Sequence, residues 1–104
     1  MNNQNKTSIS AEESFAREHR VSSYACRQLA DWALAHFGDR TDPTAYQRIV
    51  MSLGLSGADI VVEKVHKDLC TQSFNYRPEA VMRMYDRFRM DGERRFMDAQ
   101  GVAA

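Results

Sequence analysis

The apolar residues of this chain recur every three or four positions in four stretches, the spacing of half-buried helices. The first stretch has no internal Gly or Pro. Its apolar positions are Phe15, Val21, Tyr24, Cys26, Leu29, Trp32, Ala33 and Phe37. Two adjacent serines weaken the middle of the pattern, so it predicts either one long helix over residues 11–37 or two helices that bend near residues 20–23.

Helix start signals precede three of the stretches. Ser10 and Glu13 stand three residues apart, as in the capping box, where each side chain satisfies a free backbone N–H of the other residue. Asp42 and Pro43 combine a capping carboxylate with proline at the first helical position. Ser56 is the predicted cap of the third helix.

The second and third helices are predicted from their apolar stripes. The second stripe is Tyr46, Ile49, Val50 and Leu53. The third is Ala58, Val61, Val62, Val65 and Leu69. Its β-branched residues lower helix propensity, but a strand there would need a partner strand and the sequence offers none. Helix is therefore the predicted structure.

The fourth helix begins at Pro78, and its stripe is Val81, Met84, Tyr85 and Phe88. Gly92 costs about 1 kcal/mol relative to Ala inside a helix, which predicts a bend or a frayed end there. The pattern as a whole predicts an all-α fold, a small antiparallel three- to four-helix bundle. Residues 11–104 would form this single domain, and the polar residues 1–10 would form a flexible N-terminal arm.

Composition and charge argue against two classes of function, nucleic-acid binding and membrane insertion. The chain has 104 residues, with 14 basic and 14 acidic side chains, and the formal net charge is zero. Nucleic-acid binding usually shows as a basic excess, so this balance argues against it. No apolar run is long enough to enter a bilayer, and residues 1–10 lack the apolar core of a secretion signal. We therefore expect a cytoplasmic protein without membrane insertion.

The sequence contains no recognisable catalytic constellation. His66 and Cys70 are four residues apart, and His19 and Cys26 are seven apart, but zinc motifs show tighter, turn-based spacing. No nucleophile elbow, phosphate-binding Gly-rich loop or paired acid and base occurs. We expect exposed histidines and packed, reduced cysteines. The protein is predicted not to be an enzyme, with no catalytic residues, no metal and no cofactor.

Arginines concentrate in the predicted fourth helix. Residues 77–95 hold six arginines against four carboxylates. Arg83 and Arg87 are four residues apart and Arg94 is seven further on, so all three fall on one helical face. The simpler interpretation is that these arginines belong to a solvated helix face of mixed charge. The functional hypothesis is a contact with an acidic protein surface or with an anion such as phosphate.

Residues 49–61 look like a DNA-binding helix-turn-helix, because Leu-Gly-Leu-Ser is a common form of its turn. The would-be recognition helix, residues 57–69, has two lysines against three carboxylates, a formal charge of −1. It begins with Gly57, Ala58 and Asp59 rather than with donors for base edges. A small DNA-binding or adaptor protein is therefore the alternative function.

The order of these features resembles the bacterial ATP synthase zeta-subunit family, small helical intrinsic inhibitors of the ATPase. The matching segments are Phe15-Ala16-Arg17-Glu18, Arg27-Gln28-Leu29-Ala30-Asp31-Trp32-Ala33, Ala45-Tyr46-Gln47-Arg48-Ile49-Val50, residues 57–69 and the helix from Pro78-Glu79. The resemblance covers roughly residues 12–92, most of the chain.

The resemblance implies a non-catalytic regulatory protein whose N-terminal segment inserts into the catalytic head of the F-type ATP synthase. The residues implied as partner contacts are Glu12, Glu13, Phe15, Arg17 and Glu18. Such a segment would become ordered on the ATPase, at a cost in entropy that permits switching. The alternative for Phe15 is that it packs against the core of the bundle.

Overall fold

The structure, a computed structural model, describes the backbone of residues 11–103 and the side chains of residues 11–96. The predicted arm, residues 1–10, lies outside the described residues. The described chain is all-α and contains no strand, which confirms the predicted fold class. Its four helices are α1 (Ala11–Phe37), α2 (Pro43–Leu53), α3 (Ala58–Thr71) and α4 (Pro78–Ala103).

Helix α1 runs unbroken for 27 residues, so the choice between one helix and two is settled in favour of one. The adjacent serines, Ser22 and Ser23, are half-buried rather than solvated. Val21 before them and Ala25 after them are fully buried. Burial on both sides holds these poor helix formers in the helix, because tertiary packing outweighs intrinsic propensity.

The core lies where α1 and α3 pack against each other and against their neighbours. Helix α1 contacts the other three helices and α3 does the same, whereas no α2–α4 contact occurs within the described residues. Leu29 of α1, Val50 of α2 and Leu69 of α3 are each 0% exposed. Among the described residues, no helix is both long enough and apolar enough to cross a membrane.

The helix boundaries confirm one predicted cap and correct another. Asp42 caps α2, since its Oδ1 accepts from the backbone N–H of Thr44 at 3.0 Å. The prediction for Ser56 is wrong, because it belongs to a 3₁₀ turn, Gly54–Ser56, and the cap of α3 is Gly57. Gly57 has φ 122°, a conformation that glycine adopts far more readily than other residues, and the chain reverses there without a side-chain cap.

Helix α4 does not end at Gly92, so the predicted frayed end there is wrong. The helix continues to Ala103, and Gly92 is buried against the ring of Tyr24. A Cβ at this position would lie 2.8 Å from Cδ2 of Tyr24. The glycine therefore permits a close approach of α1 and α4, and this contact offsets its low helix propensity.

Helices α1 and α4 run antiparallel and continue together beyond the four-helix core. His36 near the end of α1 contacts Tyr76 just before α4, whereas Glu18 near the start of α1 contacts Arg89. No residue of 11–20 is buried. We call residues 11–24 of α1 and residues 89–96 of α4 the extension, a two-helix part of the molecule.

We expect Gly92→Ala to destabilise the protein by about 1–2 kcal/mol, because overpacking costs about 1–3 kcal/mol and the gain in helix propensity returns up to about 1 kcal/mol. Alanine raises helix propensity, but its methyl group must displace the ring of Tyr24, which is tied to Asp91 by a hydrogen bond. Urea unfolding followed by circular dichroism measures the change.

Ser14→Ala is the matched control, because Ser14 is an exposed position of α1. It should leave the free energy of unfolding unchanged or raise it by a few tenths of a kcal/mol. A Gly92→Ala variant as stable as the wild type would contradict the close approach of the two helices.

Candidate protein-binding surfaces

The five predicted partner contacts all lie in the first turns of α1, within the extension. We call Glu12, Glu13, Phe15, Arg17 and Glu18 the N-terminal surface. The three-residue spacing of Glu12, Phe15 and Glu18 places them along one side of the helix. Phe15 is 74% exposed, so it does not pack against the core of the bundle.

Glu18 is engaged within the molecule. Its Oε2 accepts from Nη2 of Arg89 at 2.8 Å, and Nη1 of Arg89 donates to Glu93 at 3.0 Å. Glu13 and Arg17 also have interaction partners. Glu18 therefore helps to fix the extension, and Phe15 is the large apolar group that this surface presents to solvent.

A three-residue cluster fastens α1 to α4 at the base of the extension. The hydroxyl of Tyr24 donates to Asp91, and Nε of Arg95 donates to the same carboxylate at 3.1 Å. The guanidinium of Arg95 lies 5.3 Å from the centre of the Tyr24 ring, within cation–π range. The hydrogen bond from Tyr24 lowers the pKa of Asp91, and Arg95 adds to the effect. The same hydrogen bond raises the pKa of Tyr24.

The three predicted arginines are all exposed on α4. We call Arg83, Arg87 and Arg94 the arginine strip. Arg87 and Arg94 line a shallow groove together with Met84 and Phe88. The described lining of the groove lies on α4 and the N-terminal surface lies on α1, so we treat them as two candidate sites.

An aromatic cluster at the opposite end of the bundle was missed by sequence reasoning. His36 is half-buried, and the ring centres of Trp32, Phe74 and Tyr76 lie between 4.9 and 5.4 Å from its own. Nδ1 of His36 donates to the carbonyl of Trp32 at 2.9 Å, because a carbonyl can only accept. Nε2 lies 2.9 Å from the hydroxyl of Tyr76. The four-residue spacing of Trp32 and His36 was the available signal.

The cysteines and histidines do not form a reactive pair. Nε2 of His66 donates to the carbonyl of Tyr76 at 2.9 Å, so it cannot accept a proton from Cys70, whose Sγ is 3.5 Å away. Cys70 is exposed and His66 is half-buried, both contrary to expectation, whereas Cys26 is buried as predicted. Burial raises the pKa of the Cys26 thiol. Within the described residues, no three potential ligands cluster as a metal site requires.

In the segment that resembles a helix-turn-helix, the Gly54–Ser56 turn joins α2 to α3. The first exposed polar side chains of α3 are Asp59 and Glu63, which would repel phosphate. Lys64 is held by Asp68 at 3.2 Å. The start of α3 therefore presents acidic groups where a recognition helix presents hydrogen-bond donors to base edges.

No family model, curated protein or solved structure matches this chain. The candidate sites are therefore defined by their own side chains. Three large apolar residues in the described part of the chain are more than 60% exposed, and they are Phe15, Leu55 and Met90. Phe15 belongs to the N-terminal surface and Met90 lines the groove beside the arginine strip.

We expect Tyr24→Phe to destabilise the protein at neutral pH and to have a smaller effect in acid. The pKa of Asp91 is lowered in the folded state, so the contribution of this hydrogen bond is complete above the unfolded pKa of about 3.9 and is lost as the pH falls through the folded value. The pKa of Tyr24 is raised, so the contribution is also complete below about pH 10. Urea midpoints at about pH 7 and about pH 2.5 measure the difference.

The Asp91→Asn background supplies the control for this experiment. With no carboxylate to titrate, Tyr24→Phe should change the urea midpoint by the same amount at both pH values. An effect of Tyr24→Phe that is equally large at both pH values in the wild-type background would contradict the assignment.

Proposed function

We propose that this chain is a non-catalytic regulatory protein that binds a protein partner through the N-terminal surface of α1. The exposure of Phe15 carries the proposal. A single exposed apolar residue is common on protein surfaces. Phe15, however, lies in a ten-residue stretch, residues 11–20, that contributes no buried residue to the fold.

The chemistry of this surface suits a helix that docks into an apolar groove. Phe15 supplies an aromatic anchor, a residue type that often dominates binding energy. Glu12 lies three residues before Phe15 on the same side of the helix and places an acidic group beside it. Helix-in-groove recognition places apolar side chains of a helix in a hydrophobic groove, and Phe15 is the side chain of this surface that can do so.

The resemblance to the zeta-subunit family supports a specific partner, the catalytic head of the F-type ATP synthase. The quoted Phe15-Ala16-Arg17-Glu18 segment is the part of that pattern implied to insert. In this chain the segment belongs to a formed helix, and the contact between Glu18 and Arg89 holds that helix against α4. A preformed helix loses less conformational entropy on docking than a disordered arm would.

The proposal that the protein is not an enzyme is supported by its titratable groups. Nε2 of His66 donates to a backbone carbonyl rather than accepting from Cys70, and the buried Cys26 thiol has a raised pKa. The Cys26 thiol is therefore poorly suited to act as a nucleophile, since activation of a cysteine requires a neighbouring base or a lowered pKa.

We expect the full chain to slow ATP hydrolysis by purified bacterial F-type ATP synthase in a coupled spectrophotometric assay. Phe15→Ala should raise the concentration needed for half-inhibition by at least about tenfold, the effect of losing an aromatic anchor. Phe15 is largely exposed, so its replacement should change the free energy of unfolding by less than about 0.5 kcal/mol.

Leu55→Ala is the matched control, because Leu55 is 79% exposed and lies in the turn between α2 and α3. This variant should inhibit as well as the wild type. A wild-type chain that leaves ATP hydrolysis unchanged would refute the partner, and equal losses in the two variants would refute the role of Phe15.

A further inference from the structure

A second surface, on α4, places three exposed arginines beside apolar side chains. The groove described above has a volume of about 540 Å³. Its described lining is Met84, Arg87, Phe88, Met90, Asp91 and Arg94. Arg83 stands one helical turn before Arg87 and extends the positive edge of the groove.

The described lining of the groove contains one carboxylate, Asp91. It already accepts from Tyr24 and Arg95, which lower its pKa, and Arg94 lies close enough to help lower it. Among the described side chains, no ion pair within 4.0 Å joins a carboxylate to any residue of the arginine strip. Glu79 is one turn before Arg83, and these two side chains also form no such pair. The groove therefore presents a net positive edge.

The apolar part of the groove is partly exposed. Met90 is 62% exposed, and Met84 and Phe88 are half-buried at the edge of the core. Methionine is flexible and polarisable, and it is common at surfaces that adapt to a partner. These side chains lie beside the arginine strip on the same helix, so one ligand can contact both.

We propose that this groove binds an acidic amphipathic helix of a partner protein. The arginines repeat at four and then seven residues, a spacing that meets carboxylates one and two turns apart on a second helix. Guanidinium groups bind carboxylates with two parallel hydrogen bonds. Met84, Phe88 and Met90 would receive the apolar stripe of the same helix. The inference rests on α4 and is independent of Phe15 and of the ATP synthase.

Other occupants match the groove less well. Residues 1–10 of this chain contain Lys6 and no Asp or Glu, so they lack the complementary charge. Nucleic acid draws its affinity from many phosphate contacts, whereas this surface offers three arginines around an apolar floor in a chain of zero net charge. A second copy of the chain would offer its own Glu12 and Phe15 to the groove. Sedimentation velocity distinguishes this case, because a dimer has twice the mass of one chain.

The test uses the full chain and a fluorescein-labelled helical peptide of about 18 residues, five turns. Leucines at i, i+3, i+4 and i+7 form its stripe, and glutamates flank them. Fluorescence anisotropy should show saturable binding that weakens as salt is added. Arg87→Glu should weaken binding at least about tenfold, through loss of a charge-assisted hydrogen bond and through repulsion.

Arg48→Glu is the matched control, because Arg48 is exposed on α2 and makes the same charge change away from the groove. It should bind as the wild type does. Met90→Glu should weaken binding without altering the arginines, and circular dichroism checks that each variant keeps its helices.

Four results would overturn the proposal. These are no binding of the acidic peptide, equal binding of a peptide with lysines in place of the glutamates, equal losses in Arg87→Glu and Arg48→Glu, and tighter binding of duplex DNA that Arg87→Glu abolishes. A dimer in sedimentation velocity that Arg87→Glu dissociates would also overturn it, because the occupant would then be a second copy.

Discussion

The burial of α1 against the other three helices is the interaction on which the rest of the structure depends. Leu29 is fully buried at its centre, and Ala25, Ala30 and Ala33 are each 0% exposed. Alanine has a small side chain, so the neighbouring helices approach α1 closely at these positions. Truncating a buried leucine costs about 2–5 kcal/mol, a large part of the stability of a small domain. Helices α2, α3 and α4 complete this core, and α4 contributes Val81 and Tyr85.

The N-terminal surface follows from the extra length of α1 beyond this core, whereas the arginine strip runs along α4 from Arg83 beside the core to Arg94 in the extension. The N-terminal surface is held in place by contacts to α4, through Glu18 with Arg89 and through Tyr24 with Asp91. The arginine strip lies on α4, the helix that these contacts join to α1. The two surfaces therefore lie on two helices that hold each other in place. They differ in chemistry, because α1 offers an acidic and aromatic helix end and α4 offers a basic groove.

The fold was largely predictable because its signals are local. Stripes such as Val61, Val65 and Leu69 repeat at helical spacing, and Asp42 with Pro43 marks a helix start by backbone chemistry alone. Gly92 was misjudged because intrinsic propensity ignores the ring of Tyr24, which is distant in sequence. Ser56 failed as a cap because a tight turn at Gly57 takes the chain into α3.

The candidate sites were predictable in part. The spacing of Arg83, Arg87 and Arg94 was enough to place them on one face. Among the described side chains, Arg89 forms an ion pair with Glu18 of α1 and the arginine strip forms none, a difference that spacing along one helix does not encode. The unbroken course of α1 from Ala11 to Phe37 has a further consequence. Opening fluctuations begin where buried contacts are fewest, so hydrogen exchange should slow progressively along this single helix. The exposed first turns of α1, residues 11–20, are therefore the part of this helix that opens most readily.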